Sequence, residues 1–139
     1  MATVNATISL ASDITDSSIS VANTGVLYKA GTTTGVDTMT SVTKRLTSTN
    51  QVDLITTGSV STTHGYVYIN NPDTDNTRHF KITIGNAGGG SPTDTEEIGR
   101  LYGGDWMLFP YLATDANEDI MIQPSSSDKM TVEYMVFHQ

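Results

Sequence analysis

Short runs in which apolar and polar residues alternate, each closed by turn formers, recur along the chain and leave little room for any architecture but β-sheet. A period of two sends successive side chains to opposite faces of a strand, so each run reads as a strand with one buried side. In "TVNATISL" (3–10), Val4, Ala6, Ile8 and Leu10 share a side. In "HGYVYINN", Val67 and Ile69 stand opposite Tyr66 and Tyr68; in the terminal "MTVEYMVFH", Val132, Tyr134 and Val136 share one face while Met135 and Phe137 take the other. "HFKITIG" aligns Phe80, Ile82 and Ile84, and the turn formers "NNPDTDNT" (70–77) before it predict a hairpin with the tyrosine strand. Weaker runs at 14–21, 25–31 and 51–58, and "IMIQP" near the end, bring the strands to eight or more. Long segments with the 3.6-residue period of a helix are missing. The expected fold is all-β: a single antiparallel β-sandwich, jelly-roll-like, with an extended N-terminal segment. Its 139 residues suit one domain spanning 1–139. Residues 1–50, rich in Thr and Ser and lower in apolar density, read as an extended arm or strand-exchanging segment able to pair with a neighbour's sheet edge.

Charge narrows the range of partners. Fifteen acidic against seven basic residues give a formal charge of -8. Nucleic-acid binding relies on Lys and Arg to neutralise phosphates, so nucleic acid is excluded as the expected partner. The same acidity weakens attraction to anionic membranes, and no window approaches the ~18 apolar residues a spanning helix needs. The start, "MATVNATISL", has neither a basic stretch nor a long apolar one, so no signal peptide is expected. There is no cysteine, which excludes disulfides and thiolate chemistry.

Candidate chemistry is sparse. His64 opens one strand, His79 opens another, and His138 is penultimate; they are read as solvent-facing strand histidines that do not converge on a metal. Asp73, Asp75 and Asn76 in one turn, and Asp115, Asn117, Glu118 and Asp119 in another, offer oxygen ligands of the kind calcium prefers. Asn and Asp also close turns through local hydrogen bonds, which suffices without an ion. "GNAGGG" (85–90) lacks the Lys-Ser/Thr ending of a phosphate loop, and no serine sits in a G-x-S-x-G elbow. The expectation is therefore no enzyme, no catalytic residue, no metal and no cofactor.

"GGDWMLFPY" (103–111) breaks the pattern of alternation, because Trp106 to Tyr111 are bulky on both faces. If Trp106, Leu108 and Pro110 point one way, Met107, Phe109 and Tyr111 point the other. One set fills the core and the second needs cover, since three exposed side chains of this size forgo about 1.5–3 kcal/mol each. Pro110 removes a ladder donor and marks an edge strand. Met107 and Phe109 are expected to find shelter beneath a sister molecule, and the candidate interface comprises Trp106, Met107, Phe109, Tyr111, Met135 and Phe137. An alternative reading places Tyr102, Trp106, Tyr111 and the Asp115–Asp119 loop at a sugar or calcium site of a lectin-like module or a host-recognition fibre.

The order "YVYINNPDTDNTRHFKITIG", "IGRLYGGDWMLFPY" and "IMIQPSSSDKMTVEYMVFHQ" resembles the C-terminal half of small virion proteins of tailed bacteriophages. The shared elements are a strand ending in an Asn-rich turn (Tyr66 to Asn71), a Leu-x-x-Gly-acid turn (Leu101 to Asp105), an apolar Leu-x-Pro strand (Leu108 to Pro110) and a final "VEY" strand (Val132 to Tyr134). Gly103-Gly104-Asp105 stands where Pro-Gly-Glu is more usual. The resemblance covers about residues 64–139. It implies a capsid decoration (cement) protein or related head component, a β-sandwich that is commonly trimeric. Its partners would be copies of itself and the major capsid protein, on the surface of a virion made in the bacterial cytoplasm.

Overall fold

The computed structural model describes residues 3–14, 18–57, 65–85, 95–112 and 118–139. Their strands are β1 (Asn5–Ser12), β2 (Ile19–Val26), β3 (Thr38–Leu46), β4 (Val52–Ile55), β5 (Gly65–Asn70), β6 (His79–Gly85), β7 (Glu96–Tyr102), β8 (Trp106–Tyr111), β9 (Asp119–Pro124) and β10 (Met130–His138). The last eight build two four-stranded sheets, ordered β3-β10-β5-β8 and β4-β9-β6-β7.

The pairing has a simple logic. β6 and β7 form the closed end of one long hairpin; β5 then pairs with β8, β4 with β9 and β3 with β10, all antiparallel. Rolling that double ribbon brings β10 beside β5 and β9 beside β6, which completes both sheets. This is the jelly-roll arrangement, and the expected all-β sandwich is what the chain adopts. It buries one stripe from each strand. Val67 and Ile69 from β5 and Met130, Val132 and Val136 from β10 meet Phe80 and Ile82 from β6 and Ile120 and Ile122 from β9, with Leu54, Leu101 and Tyr111 at the margins.

One expectation is corrected. β5 and β6 do not form a hairpin, because they lie in different sheets and the 71–78 turn carries the chain across the sandwich. The Gly103-Gly104 turn likewise carries the chain across, from β7 in one sheet to β8 in the other. The two corners are tied together: Asn71 N–H donates to the Asp105 carbonyl (3.0 Å) and Gly104 N–H to the Asn71 carbonyl (2.9 Å). The fully buried Asn71 side chain adds a bond from Nδ2 to the Leu101 carbonyl (3.0 Å) and accepts one from Asp73 N–H (3.2 Å). A two-residue hairpin turn would satisfy its own backbone. These longer corners satisfy one another.

β1 and β2 stand outside the sandwich as a separate two-stranded ribbon, paired without a break from Asn5↔Val26 to Ser12↔Ile19. The sandwich itself begins at β3, so of residues 1–50 only the part before Thr38 lies outside it.

Candidate interaction surface

The outward face of the β3-β10-β5-β8 sheet is laid out in cross-strand rows. Met39, Phe137, Tyr66 and Pro110 are register partners in one row; Ser41, Met135, Tyr68 and Leu108 form the next; Thr43, Glu133, Asn70 and Trp106 form the third. Two rows are predominantly apolar. The third is a polar border in which Asn70 Nδ2 donates to Glu133 Oε2 at 3.0 Å. Trp106 closes its end, with its ring 6.2 Å from that of Tyr68 and half its surface open (51%).

Part of this face is roofed by the chain's own N-terminal segment. Leu27 and Val36 are buried against Phe137, with Val4, Ala6, Tyr66, Tyr68 and Met135 packed around them. Backbone bonds from Leu27 N–H to the Val4 carbonyl (2.9 Å) and from Val36 N–H to the Leu27 carbonyl (3.0 Å) hold the roof together. The Lys29–Asp37 ion pair (2.6 Å) closes the intervening loop, and its hydrogen bond holds the Asp37 carboxyl below its usual value. The roof is incomplete. Between Ala6, Ile8 and Leu27 on one side and Tyr68, Trp106 and Leu108 on the other runs a mainly apolar cleft of about 440 Å³.

The β1–β2 ribbon continues past this roof. Its register puts Ala6, Ile8 and Leu10 on the same side as Val21 and Ile19. Ile8, Leu10, Ile19 and Val21 are 42–60% exposed, so one apolar flank of the ribbon stays in water. Neither strand carries a charged residue. The outward face of the other sheet is different in kind, with Lys81 opposite both Arg100 and Gln123, and Glu97 paired to Arg100 at 2.8 Å.

The sequence-predicted interface residues divide between the two faces. Trp106, Met135 and Phe137 belong to the outward face. Met107, Phe109 and Tyr111 turn inward: the first two pack against the sandwich core, and Tyr111 is buried within it. The shelter expected for Met107 and Phe109 beneath a sister molecule is therefore supplied by their own subunit. Strand alternation defines two faces without saying which is the inner one, and here the odd-numbered side of β8 is turned to the core. Pro110 sits as expected on an edge strand. Leu108 and Met39 were missed as surface-building residues, and Tyr66 and Tyr68, aromatic candidates by residue type, were left out of the predicted interface. The signal was available for the two tyrosines, which stand opposite the core residues Val67 and Ile69.

The remaining candidates do not assemble into a chemical site. His64, Asp115 and Asn117 lie outside the described residues. His79 packs on the Tyr102 ring (4.9 Å), and His138 Nδ1 lies 2.8 Å from the Gln139 carbonyl oxygen. Arg78 bridges Asp73 (3.2 Å) and Asp75 (3.1 Å), while Asp75 also accepts from the Thr77 hydroxyl and amide, which together lower its pKa. Asp119 accepts from Thr57 N–H at 2.7 Å. Among the described residues, no group of three or more His, Asp or Glu could hold a metal ion. Tyr102, Trp106 and Tyr111 occupy the second sheet, the outward face of the first, and the core, so they share no sugar platform.

No family model matches the chain, and no curated protein matches it. A solved structure, that of the Yersinia pseudotuberculosis-derived mitogen, is similar over 73% of this chain and 86% of that one, with 17% sequence identity and a TM-score of 0.46. The expectation of a bacteriophage decoration protein is corrected accordingly: the solved structure found is a bacterial mitogen, and nothing among these matches is a capsid component. The motifs behind that expectation, the Asn-rich turn and the Leu-x-x-Gly-acid turn, are the two corners of the jelly roll. They mark a way of turning between sheets.

Proposed function

We propose that this chain is a non-catalytic assembly module, a jelly roll that joins copies of itself into a homo-oligomer through the outward face of the β3-β10-β5-β8 sheet. The observation that carries this reading is the combination on that face of a half-exposed Trp106, a mainly apolar cleft beside it and a polar border at Thr43, Glu133 and Asn70. Interface centres are depleted of charge and enriched in aromatics and methionine, and they are ringed by polar groups. Tyr68, Trp106, Leu108 and Met135, which line the open cleft beside the roof, fit that composition, whereas the Lys81, Arg100 and Glu97 face fits a solvated surface.

Sedimentation equilibrium at micromolar concentration tests the reading. The parent protein is expected to sediment as an oligomer. Trp106→Ala, which removes an aromatic anchor, is expected to weaken association by about 2 kcal/mol, or roughly thirtyfold in the dissociation constant. Because Trp106 is half exposed in the single chain, its loss should leave the thermal unfolding of the isolated subunit nearly unchanged. A parent protein that stays monomeric up to about 100 μM, a concentration at which even interfaces of modest affinity assemble, overturns the reading.

A further inference from the structure

Resting on that reading, we propose that the occupant of the cleft is the β1–β2 ribbon of a second copy, whose Leu10, Ile19 and Val21 pack beside Trp106 and Leu108. The chain carries both halves of this contact. It has an apolar cleft that its own ribbon roofs only at the base, where Ala6 and Ile8 lie, and an apolar ribbon flank that its own sandwich leaves in water. Isologous exchange between two copies covers both exposed surfaces with one symmetry operation.

Charge favours the contact, and size says what else must touch. An eight-residue, two-stranded ribbon is about 27 Å long and about 10 Å wide, from ~3.4 Å per residue and ~4.8 Å between strands. Only the half of that length past Ile8 stands clear of its own sandwich, so two ribbons laid on two clefts bury roughly 550 Å² in total, and contacts between the two sandwiches supply the rest of the ~1,200 Å² at which specific interfaces begin. The molecule carries a charge of -8, yet neither ribbon strand contributes to it, and Glu133 is the only acidic residue in the three rows described on the receiving face. The ribbon and cleft of neighbouring copies therefore meet where like-charge repulsion is weakest. The uninterrupted pairing of Asn5–Ser12 with Ile19–Val26 keeps the ribbon a preformed unit, so docking it costs little additional backbone ordering.

The absence of cysteine makes the test direct. Leu10→Cys and Leu108→Cys are made as separate variants, one carrying a size tag, then mixed and oxidised. The expected product is a mixed disulfide between the two chains, formed at least tenfold more than either homodimer. Leu10→Asp, at a position 60% exposed in the single chain, is expected to keep the parent's β-sheet circular dichroism and a cooperative thermal transition, and to sediment at lower mass than the parent. A mixture without the mixed disulfide, together with a Leu10→Asp variant as oligomeric as the parent, overturns the ribbon exchange while leaving self-association standing. A Leu10→Cys/Leu108→Cys double variant that closes its disulfide within one chain also overturns it, since the occupant is then the chain's own ribbon. A monomeric parent removes the reading beneath both.

Discussion

Asn71 is a polar residue with no exposed surface, and the reason is the junction it occupies. Its backbone and side chain make four bonds, three of which tie the β5–β6 corner to the β7–β8 corner while the fourth, from Asp73 N–H, closes the β5–β6 corner itself. Replacing it with Ala leaves the Leu101 carbonyl and the Asp73 amide unpaired, and a buried group without a partner costs about 1–3 kcal/mol. Asn71→Ala is expected to lower unfolding stability by about 2–3 kcal/mol, read as a reduced urea midpoint with an unchanged slope. Tyr111 offers a second check. Its hydroxyl donates to the Glu118 carbonyl, and burial, reinforced by the Asp119 and Glu118 charges, pushes its pKa from 10.0 up to about 12. The folded state therefore holds this proton more tightly than the unfolded state. The associated stability is complete below pH 10 and is lost as pH rises toward about 12. Ultraviolet titration should show one tyrosinate forming last, with that late step absent from Tyr111→Phe.

At the level of the strands, much could be read from the amino acids. The alternation of Val67 and Ile69 with Tyr66 and Tyr68, and of Val132 and Val136 with Met135 and Phe137, matches the division between the core and the outward face. What alternation leaves open is partnership. β5 and β6 are joined by a short run of turn formers, and local reasoning pairs them; in the fold β5 lies between β10 and β8 and β6 between β9 and β7, and of these neighbours only β7 is next in sequence to its partner. The same gap explains the candidate surface. Whether Trp106 or Met107 faced the core depended on which strands would lie across the sandwich from β8, and the period of two is the same for both answers. The ribbon was legible only as part of an arm spanning residues 1–50. Its end at Val26 and the entry of β3 into the sandwich follow from pairing with β10, a strand at the far end of the chain.

Among the described residues, the outward face of the β3-β10-β5-β8 sheet and the flank of the ribbon are apolar and charge-poor, on a chain whose net charge is acidic. With a net charge of -8 on each copy, long-range repulsion opposes the contact that the apolar face favours. Salt shortens the reach of that repulsion from ~30 Å at 0.01 M to ~8 Å at 0.15 M and leaves apolar contact largely untouched. Association is therefore expected to strengthen as ionic strength rises over this range, the reverse of what an interface held by ion pairs would do. Sedimentation across a salt series checks it. One consequence of the rolled-up pairing concerns time. Among the described residues β3 has a single sheet neighbour, β10, which also separates it from β5. During synthesis β3 emerges from the ribosome early and waits for a partner made near the end. Once Pro124 has emerged, all four strands of the second sheet exist, yet the first still lacks its middle. A nascent chain halted before Met130 cannot shelter its apolar interior, so the birth of this protein is decided by the nine residues of β10.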